Sequence, residues 1–95
     1  MASKVFENTA RRIVIYSDDG SCKLIATRRA NKVERFGRTA FKGSYWIVNT
    51  LRRFGSGYEP ITFNGLPNRF EHKQEIIEAL QSSTRFTEAY KELSA

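Results

Sequence analysis

With 95 residues, 40% of them apolar and 13% aromatic, the chain holds enough nonpolar material for one compact core, which argues against wholesale disorder and a second domain. Its longest apolar run, Tyr45-Trp46-Ile47-Val48, falls far short of the ~20 residues a membrane span requires, and Met1 to Glu7 carries no leader-like hydrophobic stretch. The lone Cys22 excludes an internal disulfide and a cysteine metal cluster, so a single domain over 1–95 in a reducing, cytoplasmic setting is expected, with no membrane.

Taken in chain order, Arg11-Arg12-Ile13-Val14-Ile15-Tyr16-Ser17 is rich in β-branched and aromatic residues and predicts a strand. Asp18-Asp19-Gly20-Ser21 supplies turn chemistry, because glycine tolerates positive φ and aspartate bonds its own backbone. Cys22 to Arg28 then predicts the returning strand of a hairpin. From Asn31 to Gly55 two readings compete. Asn31-Lys32-Val33-Glu34 has the spacing of a capping box, and Val33, Phe36, Ala40 and Phe41 form a helical face ending at Gly43, with Gly37 weakening it. Against this, Trp46, Ile47, Val48 and Thr50 favour a strand, and turn-like clusters recur at Gly43-Ser44, Gly55-Ser56-Gly57 and Asn64-Gly65. That recurrence tilts the segment toward antiparallel strands, with a helix inside 31–54 as the alternative. Pro60-Ile61-Thr62-Phe63 predicts a short strand, and the proline puts it at an edge or a strand start.

The C-terminal third predicts helix. Asn68-Arg69-Phe70-Glu71 repeats the capping-box spacing ahead of Ile76, Ile77, Ala79 and Leu80. Ser82-Ser83-Thr84 interrupts the periodicity and supplies a cap for a last helix, where Phe86, Ala89, Tyr90 and Leu93 fall on one apolar face. That stripe fits packing on the sheet, with self-association or partner docking as the alternative. The resulting fold class is α+β, a small antiparallel sheet built on the N-terminal hairpin and followed by two C-terminal helices.

The net charge of +6 is lopsided: twelve of the sixteen Lys and Arg precede Tyr58 against four carboxylates, whereas Glu59 to Ala95 holds four against six glutamates. A positive field concentrated in one half attracts polyanions, of which nucleic acid is the commonest. Arg28, Arg29, Lys32, Arg35, Arg38 and Lys42 occur within fifteen residues, interleaved with Phe36 and Phe41. Strand alternation places Arg12, Val14 and Tyr16 on one face, and Arg11, Ile13 and Ile15 on the other, so a guanidinium and a ring share a surface. Together with Arg52 and Arg53 these residues form the candidate nucleic-acid surface: Arg11, Arg12, Tyr16, Arg28, Arg29, Lys32, Arg35, Arg38, Lys42, Arg52 and Arg53. RNA or another single strand is favoured over duplex DNA, because rings and arginines suit unpaired bases and the sequence offers no recognition helix for a major groove. A solvated basic face is the plainer account of the same residues, and Phe36, Phe41 and Trp46 are core candidates before they are stacking platforms.

Enzyme chemistry is not expected. His72, the one histidine, lies between Glu71 and Glu75 near a predicted helix start, where a solvated helix residue accounts for it better than a general base. No metal or cofactor site is expected from one cysteine, one histidine and the turn pair Asp18-Asp19. The competing class is a small inhibitor or adaptor of the phage or mobile-element type, which acts by occupying a host protein or a nucleic-acid enzyme. A protein partner and an oligomer are both compatible with the sequence.

Overall fold

In the computed structural model, residues 3–35, 37–61 and 67–95 are described, with the backbone alone for 31–35 and 38–42. They form six strands and two helices in the order β1 (Val5–Asn8), β2 (Arg12–Tyr16), β3 (Cys22–Arg35), β4 (Arg38–Phe54), β5 (Gly57–Ile61), β6 (Arg69–Phe70), α1 (Lys73–Gln81) and α2 (Thr87–Ser94). The sheet is antiparallel in the order β1-β2-β3-β4-β5, and β6 adds to β4 at Trp46 and Ile47. The expected α+β class and the sheet-then-helices order are both present.

The hairpin β2–β3 pairs Ile13 with Ala26 and Ile15 with Leu24, closing through a turn in which Gly20 takes a φ of 77°. The Asp19 carboxylate binds that turn together, accepting from the Ser17 hydroxyl at 2.7 Å, the Ser21 N–H at 2.9 Å and the Ser21 hydroxyl at 2.7 Å. These bonds hold its carboxyl well below the usual range, the Ser17 hydroxyl most of all.

Residues 31–35 and 38–42 are strand, so the helical alternative does not form. Gly37 has a φ of 75°, a conformation that helix does not use and a tight turn does. Gly43-Ser44, expected as a turn, lies inside β4. Ala30 pairs with Ser44 and Lys32 with Phe41, so one residue of β3 opposes two of β4, and Gly43 absorbs the bulge at a φ of 94°. β3 and β4 are therefore far longer than their neighbours. Beyond the Arg12–Thr27 and Trp46–Phe70 pairs, no other described strand joins them, and a two-stranded arm, seven residues of β3 against eight of β4, extends roughly 23 Å. The radius of gyration, 15.0 Å, exceeds the roughly 12 Å expected of a compact domain this long for the same reason.

The core lies between one face of the sheet and both helices. Ile13, Ile15, Cys22, Leu24, Ala26, Trp46, Val48 and Phe70 meet Ile76, Leu80, Phe86 and Ala89, all buried. Phe70 corrects the expected helix start. Asn68 to Glu71 is not a capping box, because Arg69 and Phe70 pair with β4 and Phe70 fills the core beside Trp46. The box falls four residues later, where the Glu75 carboxylate accepts the His72 N–H at 3.0 Å ahead of α1. Ser82-Ser83-Thr84 is likewise not the cap of α2. Asp18, from the β2–β3 turn, accepts the Glu88 N–H at 2.8 Å, and its own N–H donates to the Arg85 carbonyl at 2.8 Å. A turn at one end of the chain thereby fixes the first turn of the last helix. Phe86 and Ala89 are buried, with Tyr90 and Leu93 packed beside them, so the apolar stripe of α2 serves the core. β5 is an edge strand that takes in Pro60, as expected, while Thr62, Phe63, Asn64 and Gly65 lie outside the described residues.

Candidate nucleic-acid interface

Because side chains alternate along a strand, the register sorts every strand residue to the helix side or the open side. Ile13, Ile15, Leu24 and Val48 face the helices, so their neighbours do not. Three rows cross the open side. The first is Tyr16–Lys23–Leu51–Pro60, the second Glu7–Val14–Ile25–Asn49, and the third Arg12–Thr27–Ile47–Arg69, with Arg29–Tyr45 just beyond it at the root of the arm. No described helix lies over this side, since α1 and α2 both pack on the other.

The open side carries cations and rings at its two ends. At the turn end, the Lys23 ammonium sits 5.9 Å from the Tyr16 ring and 5.5 Å from the Tyr58 ring. Phe6 is the extra residue of a bulge in β1 and meets Tyr16 edge-on at a centroid distance of 6.4 Å, while itself 72% exposed. Arg53 pairs with Tyr58 in register and is exposed. At the arm end, the Arg69 guanidinium lies 4.2 Å from the centre of the Tyr45 ring, and Arg12 and Arg29 stand exposed nearby in register. The row between the ends, Glu7–Val14–Ile25–Asn49, holds no cation: Val14 is buried, Ile25 half-buried and Asn49 exposed. Among the described strand residues Glu7 is the one carboxylate on this side, and it sits on the edge strand β1. Among the described residues no carboxylate lies within ion-pair distance of Arg12, Lys23, Arg29 or Arg53; Arg69 has Glu71 at 3.8 Å.

The predicted residues do not all converge. Arg12, Tyr16, Arg29 and Arg53 share the open side. Arg11 and Arg28 instead line a shallow depression of about 420 Å³ with Ala30, Gly43 and Ser44. Its place is the helix side of the sheet, where the arm leaves the body, because Arg28 pairs with core residue Trp46. Arg52 also faces the helix side, and its guanidinium is engaged by the Glu59 carboxylate, with Nε at 3.1 Å. Lys32, Arg35, Arg38 and Lys42 hold strand positions on the arm, with Lys32 opposite Phe41 and Arg35 opposite Arg38. Sequence reasoning missed Lys23, Tyr58 and Arg69. Lys23 alternates with core positions and was readable from the strand period; Tyr58 and Arg69 required the pairing of β5 and β6.

His72 is exposed at the start of α1. Among the described residues, no three of His, Cys, Asp and Glu stand close enough to share a metal ion, and no helix is long and apolar enough to cross a membrane. A scan against protein-family models finds no match, nor does a search of curated proteins or one of solved structures.

Proposed function

We propose that this protein binds nucleic acid, RNA or another single strand in preference to duplex, through the open side of its sheet. The observation that carries the reading is the joining of cations and rings on one side that no described helix covers: Arg12, Lys23, Arg29 and Arg53, with no carboxylate in ion-pair distance among the described residues, beside Tyr16, Tyr58 and Phe6. Phosphates need mobile cations, and unpaired bases need flat faces on which to stack. A broad sheet presents both without having to enter a groove. Beyond Arg29 the arm adds four cations, Lys32, Arg35, Arg38 and Lys42, against the single carboxylate Glu34, and supplies further charge next to that surface. It is also the one described element with the shape of a two-stranded ribbon, which a duplex major groove admits.

The test is binding of labelled single-stranded RNA, single-stranded DNA and duplex DNA at low salt, repeated with Arg12→Glu/Arg29→Glu. Single strands are expected to bind, duplex to bind more weakly, and the variant to lose binding with its circular dichroism unchanged. Absence of any shift with all three probes refutes the reading. A second reading, docking on a protein partner as a small inhibitor or adaptor, draws on Phe6 and Phe54, which are 72% and 68% exposed. Capture of one stoichiometric partner from nuclease-treated lysate, lost in Phe6→Ser/Phe54→Ser, favours that class.

A further inference from the structure

Resting on the nucleic-acid reading, we propose that the open side holds a single strand at two separate points, with a cation-free row between them. The turn-end point is Tyr16, Lys23, Arg53 and Tyr58, where an ammonium is flanked by two rings. The arm-end point is Arg12, Arg29, Tyr45 and Arg69, where a guanidinium covers a ring. On β3 the arm-end point runs from the Thr27 row, which holds Arg12 and Arg69 four residues from Lys23, to Arg29, six residues from it, so the points lie roughly 13–20 Å apart. In the row between them, Glu7–Val14–Ile25–Asn49, Val14 is buried, Ile25 half-buried and Asn49 exposed, and no cation stands there.

This division has a chemical consequence. A phosphate at Lys23 leaves the neighbouring bases beside Tyr16 and Tyr58, since both rings lie within 6 Å of the same ammonium. At the other end Arg69 occupies a face of Tyr45, so a base there stacks on the guanidinium or on the free side of the ring. The stretch of strand between crosses a row with no cation, so its phosphates stay in water. At about 3.4 Å per stacked nucleotide, roughly four to six nucleotides reach from one point to the other. Shorter ligands occupy one point; longer ligands occupy both and gain the effective-concentration advantage of a tethered second contact.

The experiment is fluorescence anisotropy of 5′-labelled oligouridylates of three, six, nine and twelve nucleotides, with the whole protein. Two variants are compared: Lys23→Ala/Tyr58→Ala at one point and Arg12→Ala/Arg29→Ala at the other. Each variant is first checked for an unchanged melting curve. For the wild type, affinity is expected to step up at least tenfold between the trimer and the nonamer, beyond the gain from extra binding registers. On the dodecamer either variant falls back toward the affinity of the wild-type trimer, and on the trimer each variant loses only a few-fold, because the other point still binds. A gradual rise in proportion to length, or variant effects equal on trimer and dodecamer, overturns the two-point arrangement while leaving single-strand binding in place. No binding at any length overturns the parent reading as well.

Discussion

Salt dependence measures how many cations meet phosphate, and the structure sets its value in advance. Four cations on the open side, Arg12, Lys23, Arg29 and Arg53, have no carboxylate within ion-pair distance among the described residues. For a single strand the logarithm of the binding constant falls with the logarithm of salt at a slope of about −0.7 per neutralised phosphate, so four contacts give about −3. Between 50 and 200 mM salt that slope weakens binding about fiftyfold. If Lys32, Arg35, Arg38 and Lys42 on the arm also engage, the slope steepens to about −6. Titrating the protein into labelled oligouridylate at several salt concentrations reads the slope directly. Arg12→Gln/Arg29→Gln removes two cations without reversing charge and is expected to flatten it by about 1.4. Arg52→Gln is the internal control, since its guanidinium is already held by Glu59 and faces the helix side; the slope should stay within about 0.3 of wild type. A wild-type slope shallower than about −1, or equal flattening by the Arg52 control, refutes the assignment of these cations to phosphate contact.

Four further outcomes are expected. Phe86→Ala empties a fully buried site between the sheet and both helices and should cost about 3–5 kcal/mol in denaturant unfolding, a large fraction of a small domain's stability. Asp18→Ala removes the long-range cap of α2 and should lower stability by about 1 kcal/mol, with faster amide exchange in the first turn of that helix. Gly43→Ala finds open space but the wrong backbone angle, so a loss of about 1 kcal/mol is expected, with shifted amide resonances in the arm. The carboxyls of Asp19 and Glu92 are both held below their usual range, the first by the Ser17 hydroxyl and Ser21, the second by the Ser3 hydroxyl and the Lys4 N–H. Both groups take up protons more readily unfolded than folded. Their stabilisation is therefore complete above the ordinary carboxylate range and is withdrawn as pH falls below about 4. Thermal melts from pH 7 to pH 2.5 should show Tm falling at the acid end, and less steeply in Asp19→Asn.

What the sequence made legible follows from how local each signal is. Ile13, Val14 and Ile15 flanked by Asp-Gly chemistry specify a hairpin through neighbours within a few positions, and that hairpin is present in register. Asn31-Lys32-Val33-Glu34 and Asn68-Arg69-Phe70-Glu71 carry equally local helix-start spacing, yet the first lies in β3 and the second contains β6. Each is overruled by strand pairing: Trp46, distant in sequence, receives Phe70, and β3 pairs with β4 across the hairpin along the arm. Gly43 shows the same limit. A glycine with positive φ marks a turn and a bulge alike, and only the register of the opposite strand tells them apart.

The candidate surface was legible by composition and illegible by side, and the reason is geometric. Consecutive arginines on a strand necessarily point apart, so Arg11-Arg12, Arg28-Arg29 and Arg52-Arg53 each divide one cation to the helix side and one to the open side. Charge density along the chain therefore overstates charge density on any one face by about twofold in a sheet. The deficit is made up by residues that no charge cluster marks: Lys23, alone between Cys22 and Leu24, and Arg69, brought over from the otherwise acidic C-terminal part by β6. Both stand against tyrosines, and both owe that position to pairing with a core strand. The rings and cations are thus assembled by the same alternation that builds the core, since every inward Ile13, Leu24 or Val48 commits its neighbours to the open side. Shifting the β2–β3 register by one residue would exchange the two sides, placing Arg12 and Lys23 against the helices and exposing Ile13 and Leu24. The fold cannot accommodate that exchange, and so the burial that stabilises the domain also fixes the uncovered surface.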